Sequence, residues 1–318
     1  SHTQIRIGRE VCLMSNDKIR VAVIGTGNIG TDLCERLLKD PKFEVVAFVG
    51  RRSTSSGLTR MHGRVPNLLD SGIESLEPLW AYLDGVFDAT SATAHAEHWA
   101  IVQKHKKWII DLTPSRIGKP LVPVLIDKSP SMKISTDYVA NYSMVTCGGQ
   151  SSAALIYAIT KHAKSVEEVE ISSSIASLSA GPATRNNIDE YIDSTENMAT
   201  LLTGCSAVKS ILVLNPAEPP VMMRTTVHVR AANFDLVQIL QESRDLVAKV
   251  KSYVPGYDLV VEPHVAGSGQ ISATVKVLGS GYYLPEYSGN LDIINAAAVE
   301  TATQHVHLSR LNRERIGT

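Results

Sequence analysis

"KIRVAVIGTGNIGTDL", residues 18–33, is the stretch on which the fold turns. Its first half is a short β-branched run with almost no polar interruption, as expected of a strand buried on both faces of a parallel sheet. A glycine turn follows, and "NIGTDLCERLLKD" then sets Ile29, Leu33, Leu37 and Leu38 at helical spacing as far as Pro41. Between strand and helix, Gly25, Gly27 and Gly30 stand in G-x-G-x-x-G order, with Thr26 inside the loop. In such a loop the first glycine permits the tight turn. The second removes a side chain where a pyrophosphate approaches, and the third lets the helix close on the strand. The amides of Asn28 and Ile29 then face the phosphates. The expectation is a dinucleotide site, weighed against a merely structural turn.

Working outward, "FEVVAFVG" (43–50), "GVFDAT" (85–90) and "KWIIDLT" (107–113) repeat the strand pattern, and the helical "AHAEHWAIVQKH" lies between the last two. Strand, helix and strand at short intervals predict an α/β fold with a doubly wound parallel sheet. The end of the second strand is where a ribose is read: an acid there accepts from the 2′-hydroxyl of NAD, whereas arginine suits the 2′-phosphate of NADP. This chain has "VGRRSTSSG", with Arg51, Arg52, Ser53 and Ser55. Two guanidiniums and two hydroxyls predict a phosphate pocket and NADP ahead of NAD. The plainer alternative is a solvated loop.

After about residue 146 the pattern changes. The helical "GQSSAALIYAITKHA" leads to strand candidates at 166–179, 208–215, 221–232 and 271–279. They alternate polar and apolar residues, which predicts a mainly antiparallel sheet covered on one face. "TRNNIDEYIDSTENMATLL" and "DLVQILQESRDLVAKVKSYV" supply helices for that cover, and 291–311 a last helix. The expected organisation is a tag or unstructured extension over 1–16, a dinucleotide-binding domain over 17–146, and a catalytic and dimerisation domain over 147–288. The C-terminal helix, 289–318, is expected to pack back on the first domain.

With 31 basic and 32 acidic residues, the chain has no signature for binding nucleic acid. Its four cysteines lie far apart, without C-x-x-C pairs or a Cys/His cluster, so neither a disulfide framework nor a metal site is expected. No stretch approaches the roughly 18 apolar residues of a membrane span, and no signal-peptide pattern opens the chain. A cytoplasmic protein is expected.

"MVTCGGQSSAALIYAI" (144–159) carries the chemistry. Free cysteine is among the most buried residue types, which favours a structural reading of Cys147. Its context argues otherwise. Gly148 and Gly149 are expected to allow a sharp turn, and a helix from about Gln150 to bring unpaired amides and a positive dipole end to the sulfur, lowering the thiol pKa. Cys34 lies on the apolar face of the first helix and reads as core; Cys205 lies in a loop with no evident base. A nucleophilic thiol beside a hydride acceptor defines a narrow reaction. Thiolate adds to an aldehyde, hydride passes to NAD(P)⁺, and a thioester remains for water, phosphate or coenzyme A to take.

"IGTGNIGTDL", "FDATSATAH", "IDLTP", "MVTCGGQ", "SLSAGPATRNNIDE", "LNPAEPP", "YVPGY" and "YLPEYSGNLDI" occur in order from about residue 18 to 295. Together they resemble the acylating acetaldehyde dehydrogenases, partners of class II aldolases in catechol-type aromatic catabolism. The resemblance implies a Rossmann domain, a homodimer, Cys147 as the acyl-forming nucleophile and coenzyme A as co-substrate. It also implies that Thr90 and Ser91 lie at the cofactor, with Asn187 and Asn290 near the nicotinamide. Ile188, Thr225 and Leu291 then line a substrate channel for a small aldehyde, with an aldolase docked alongside. Read plainly, Asn187 caps a helix ahead of an acidic first turn and Asn290 caps the last one. "LNPAEPP" reads equally as a rigid turn.

Two departures stand out. The family usually has an aspartate at the end of the second strand, where this chain has Arg51 and Arg52, and "MRDT" where this chain has "MRTT". Thr225 thus replaces an aspartate near the thiol, and His228 falls on the opposite face of an alternating strand. Two other readings stay open. One is a semialdehyde dehydrogenase with phosphate as acceptor, for which no histidine base is evident among His162, His228 and His264. The other is a cofactor-binding partner subunit without turnover.

Overall fold

A computed structural model describes residues 18–267 and 269–316; the expectation for 1–16 lies outside them. The chain divides into two compact units. The first comprises the chain up to Gly118, Ser135–Tyr142 and the chain from Ala302; the second comprises Lys119–Ile134 and Ser143–Thr301. These units interleave along the chain.

The first unit begins with β1 (Ile19–Ile24), α1 (Asn28–Lys39), β2 (Phe43–Val49), α2 (Ser56–Arg60) and β3 (Asn67–Leu69). It continues through β4 (Gly85–Asp88), α3 (Ala92–Lys104) and β5 (Trp108–Asp111). With β7 (Asn141–Ser143) these strands run in the order β3-β2-β1-β4-β5-β7, while the two-residue β6 (Lys119–Pro120) falls in the second unit. The β1–β2, β1–β4, β2–β3 and β4–β5 pairs are parallel. The expected doubly wound sheet is therefore present, with the reversal of strand order beside β1. Five of the six residues of β1 are buried, which accounts for its uninterrupted apolar run.

The second unit holds α4 (Cys147–Lys161), β8 (Ala163–Ala176), α5 (Pro182–Asn186), α6 (Ile188–Thr203) and β9 (Val208–Asn215). Then come β10 (Met223–Phe234), α7 (Leu236–Lys251), β11 (Tyr257–Ala266), β12 (Gln270–Val277) and the start of α8 (Gly289–Ile316). Its sheet runs β11-β12-β10-β8-β9. Along β10, Met223, Thr225, Val227 and Val229 are buried while their neighbours are more exposed, so the period-2 reading holds. Helix α4 is buried over nearly its whole length and packs against α6, α7, β8 and β10. A helix enclosed in this way has little polar face.

Several details differ from the sequence reading. β8 and β9 pair in parallel, because α5 and α6 intervene and carry the chain back to the same end. The helix expected over 184–202 is broken at Asn187 into α5 and α6. Strand β11 was not anticipated. Val260, Val261 and Val265 are exposed on it, Pro263 sits inside it, and its pairing with β12 is irregular, so no clean alternation marks it. No helix among the described residues is long and apolar enough to cross a membrane.

Candidate active site

In the first unit the three glycines have separate jobs. Gly25 has φ 106°, and a Cβ on it would overlap the Ala89 carbonyl oxygen; one on Gly30 would overlap the Gly25 carbonyl oxygen. Both positions hold the turn shut. Around Gly27 a Cβ would meet nothing within 4 Å, and Gly27 and Asn28 are exposed at the start of α1. An open glycine in front of the first turn of a helix fits a pyrophosphate. Ser55 Oγ donates to Thr26 Oγ1 at 2.7 Å, tying the loop after β2 to the glycine loop. Arg51, Arg52 and Ser53 are exposed on that loop, a setting that suits an anionic group arriving from solvent.

Thr90 and Ser91 shape the neighbouring loop. Thr90 donates from its amide (3.1 Å) and hydroxyl (2.6 Å) to Asp88 Oδ1, while Ser91 caps α3 by accepting from the Ala94 amide at 3.3 Å. Behind them lies a buried cluster that sequence reasoning missed. His95 and His98 each place Nδ1 2.8 Å from Asp88 Oδ2, and His95 Nδ1 is also 3.6 Å from Asp111 Oδ1. His95 Nε2 lies 3.2 Å from Asn141 Oδ1. Burial by itself raises the Asp88 pKa, but the bonds from His95 and His98 outweigh it and hold the carboxylate well below its usual range. Burial likewise opposes the charge on His95; its bond to Asp88 and the fields of Asp111 and Asp88 lift its pKa above the ordinary value. Asp111 is pushed up to about 6 by burial, against the pull of His95, Ser115 and Thr113. The pattern "D-x-T" at the ends of both β4 and β5 was the available signal, since each aspartate accepts from the amide and hydroxyl of the threonine two residues on.

In the second unit Cys147 is the first residue of α4, ahead of the expected start at Gln150. Thr146 caps the helix, accepting from the Gly149 amide at 2.9 Å. The expected sharp turn at Gly148 and Gly149 is absent: both are helical. The left-handed residue is Val145, at φ 62°, an uncommon backbone for a β-branched side chain. The glycines are needed for space. A Cβ on Gly148 would overlap Tyr191 Oη and sit 3.0 Å from Ser173 Oγ, and one on Gly149 would come 2.7 Å from Val145 Cγ1.

Cys147 is half-buried, and its Sγ lies 3.8 Å from Tyr191 Oη. The expected lowering of the thiol pKa does not prevail. Burial pushes it up to about 11, against the opposite effect of the Tyr191 hydroxyl and the amides of Gly148 and Cys147. The helix amides do act on the sulfur in the anticipated direction; atoms packed around it act more strongly.

Thr225 is fully buried, with Oγ1 2.8 Å from Ser151 Oγ and 3.0 Å from Ser173 Oγ. His228 faces the other side of the sheet and bonds Ser272 Oγ at 2.7 Å. Asn187 stands between α5 and α6, but its side chain does not cap α6. Ile188 and Leu291 are half-buried at the starts of α6 and α8. Asn290 is the second residue of α8, not its cap, and its buried Oδ1 has no hydrogen-bond partner among the described residues. Such an orphan invites a ligand donor. Cys34 is fully buried, with its thiol pushed up to about 12 chiefly by burial, as a core residue should be.

A family described as prokaryotic acetaldehyde dehydrogenase, dimerisation, matches residues 147–285, and one described as semialdehyde dehydrogenase, NAD binding domain, matches residues 20–135. The chain is similar to the acetaldehyde dehydrogenase of Pectobacterium atrosepticum, 43% identical over 284 residues, covering 89% of this chain and 94% of that protein. It is also similar to the acetaldehyde dehydrogenase of Spirochaeta aurantia, 43% identical over 287 residues (90% and 94%), and to that of Carboxydothermus hydrogenoformans, 42% identical over 296 residues (92% and 94%).

Proposed function

The chain belongs to the acetaldehyde dehydrogenase family, and from that premise we propose that it interconverts a short aldehyde plus coenzyme A with the acyl-CoA through a thioester on Cys147. It is an oxidoreductase acting on aldehydes, with an NAD-binding domain. The observation that carries the finer reading is the setting of one sulfur. Cys147 Sγ begins a buried helix, with two backbone amides and the Tyr191 hydroxyl acting on it.

In the forward direction Cys147 loses its proton and its sulfur adds to the aldehyde carbon, forming a hemithioacetal. A nicotinamide cofactor, when bound, accepts the hydride that the hemithioacetal carbon gives up. The acyl group then remains on Cys147 as a thioester, until the thiolate of coenzyme A displaces the enzyme sulfur and leaves as acyl-CoA. Gly25, Thr26, Gly27, Asn28, Ile29 and Gly30 are assigned to the cofactor phosphates, and Arg51, Arg52 and Ser53 to a 2′-phosphate, so NADP is preferred to NAD. Asn290, with its unpartnered Oδ1, is retained in this reading as a polar contact for a bound ligand. The same reading makes the protein a homodimer, supplied with aldehyde by an aldolase.

The test is to trap the thioester. Incubation with acetyl-CoA without reduced cofactor, an acid quench and peptide mass analysis should find an acetyl group on Cys147. Parallel reactions of aldehyde and NADP⁺ with either coenzyme A or phosphate identify the acceptor. Acyl phosphate in place of acyl-CoA would move the chain to the phosphate-using class.

A further inference from the structure

We propose that Tyr191 is a catalytic residue of this site, donating a hydrogen bond to the Cys147 thiolate at the head of a neutral chain of hydroxyls through Ser173, Thr225 and Ser151; the proposal rests on Cys147 being the nucleophile. Neither the glycine loop nor the thiol motif points to this tyrosine. Its place in space does.

In the resting thiol form each donor has one outlet. Cys147 Sγ donates to Tyr191 Oη over 3.8 Å, and the Gly148 amide also acts on that oxygen. With its acceptor positions taken, the phenol proton goes onward to Ser173, with which it shares a side-chain bond. Ser173 Oγ lies 3.0 Å from Thr225 Oγ1, Thr225 Oγ1 lies 2.8 Å from Ser151 Oγ, and Ser151 Oγ donates to the Gly148 carbonyl at 3.2 Å. With Ser151 donating to the backbone oxygen, Thr225 must donate to Ser151, Ser173 to Thr225 and Tyr191 to Ser173, a single direction from the sulfur to the Gly148 carbonyl. Ser151, Ser173 and Thr225 are fully buried and Tyr191 is 7% exposed, so these groups have chiefly one another to satisfy.

When the thiol proton leaves for solvent, the sulfur keeps the bonding pair and becomes an acceptor. The phenol proton turns back to it, and each hydroxyl behind rotates to donate one place nearer the sulfur. Ser151 releases the Gly148 carbonyl, which keeps its place in the helical ladder. The S–H bond is the only covalent bond broken. A hydrogen bond to an ionised acceptor is roughly twice as strong as a neutral one, so the reversal favours thiolate. It does so without a fixed negative charge, which would push the thiol pKa up.

The packing is built for this contact. Position 148 has room for the phenol only as glycine. Tyr191 is also held from behind: Thr195 Oγ1 donates to the Tyr191 carbonyl at 2.8 Å and lies 2.6 Å from Oγ1 of Thr146, the residue that caps α4.

The experiment is the pH profile of iodoacetamide alkylation at Cys147, read by peptide mass, in the unmutated protein, Tyr191→Phe and Ser173→Ala, with cofactor binding as the check on folding. Tyr191→Phe should move the midpoint up by about one pH unit, about tenfold slower labelling at fixed pH below it. Ser173→Ala should move it the same way by about threefold in rate. A packing defect alters the plateau rate and leaves the midpoint alone. If Tyr191→Phe fails to fold, Ser173→Ala decides. An unchanged or lowered midpoint overturns the proposal. Labelling needs no turnover, so a shifted midpoint in a protein that forms no thioester overturns the nucleophile assignment and leaves the hydrogen bond standing. A thioester with an unshifted midpoint does the reverse.

Discussion

At the carboxyl ends of β4 and β5, the carboxyl groups of Asp88 and Asp111 are buried together with the imidazoles of His95 and His98; around Cys147, the buried Ser151, Ser173, Tyr191 and Thr225 carry only hydroxyl groups. A buried charge is tolerated only when paired and hydrogen-bonded, so the first cluster is locked: Asp88 is held by His95, His98 and Thr90, and Asp111 by Thr113 and Ser115. Hydroxyls donate and accept alike, so the second cluster can reverse its direction without moving a heavy atom. One fixes the loop that carries Thr90 and Ser91; the other can follow a change at the sulfur.

The difference should show in pH dependence. Asp88, with its pKa lowered, contributes stability that is present above the unfolded value of about 3.9 and lost as pH falls through the folded value. His95, with its pKa raised, contributes stability that is complete below about 6.5 and lost as pH rises through its folded value. For Asp111, pushed up from 3.8 to about 6, the folded chain holds a proton that the unfolded chain has released across that window. Stability from this group therefore falls as pH rises through it. The hydroxyl cluster, with Cys147 at about 11 and Tyr191 above its usual value, should contribute no slope from pH 4 to 8.

The largest expected effect removes the thiol to which the proposed thioester is assigned. Cys147→Ala should reduce aldehyde oxidation by orders of magnitude and leave dinucleotide affinity unchanged; steady-state kinetics beside cofactor titration separates the two, and substantial residual turnover would end the nucleophile assignment. Next, Asp88→Asn strips the charged cluster of its centre. Breaking a buried pair by removing one partner costs about 3 to 5 kcal/mol, so urea unfolding at pH 7 should show a loss of that size. The acid limb assigned to Asp88 should flatten as well, and a variant as stable as the parent would show that the cluster is not held by charge.

Exposed charges sharpen the contrast. Arg51 and Arg52 lie open to solvent, so their joint replacement by alanine should leave stability nearly unchanged, yet weaken NADPH about tenfold or more relative to NADH. Competitive binding of the two cofactors measures it; equal affinity in the unmutated protein would mark the arginines as ordinary surface. The smallest shift is sought by placing a charge in the neutral cluster. Thr225→Asp should raise the Cys147 midpoint by about one pH unit or less, because a nearby like charge disfavours thiolate. A lowered midpoint would mean that the site accommodates a carboxylate as base.

What the sequence disclosed depended on periodicity and on glycine. The β1 run and the glycine loop predicted the parallel sheet because a strand buried on both faces has a near-continuous apolar pattern. β10 was legible because one face is buried and the other is not. The helix start at Asn187 was legible as an asparagine ahead of the acidic Asp189 and Glu190, but the short helix before it was not, since residues 184–187 are all polar and carry no apolar period. The hydroxyl chain was hidden more deeply. Its members come from α4, β8, α6 and β10, and serine, threonine and tyrosine carry no spacing rule that marks them as a set. Gly148 and Gly149 were misread for a physical reason too: adjacent glycines announce a turn, whereas here the turn falls on Val145 and the glycines make room.

That room makes positions 148 and 191 a single locus for anyone altering the site. Alanine at 148 would displace the phenol, and phenylalanine at 191 would lift part of the steric ban on alanine at 148. The effects of the two substitutions should not add, as is general for residues that share one space. Variation introduced one residue at a time would report both as intolerant. Viable alternatives to this pair should surface only when the two are varied together.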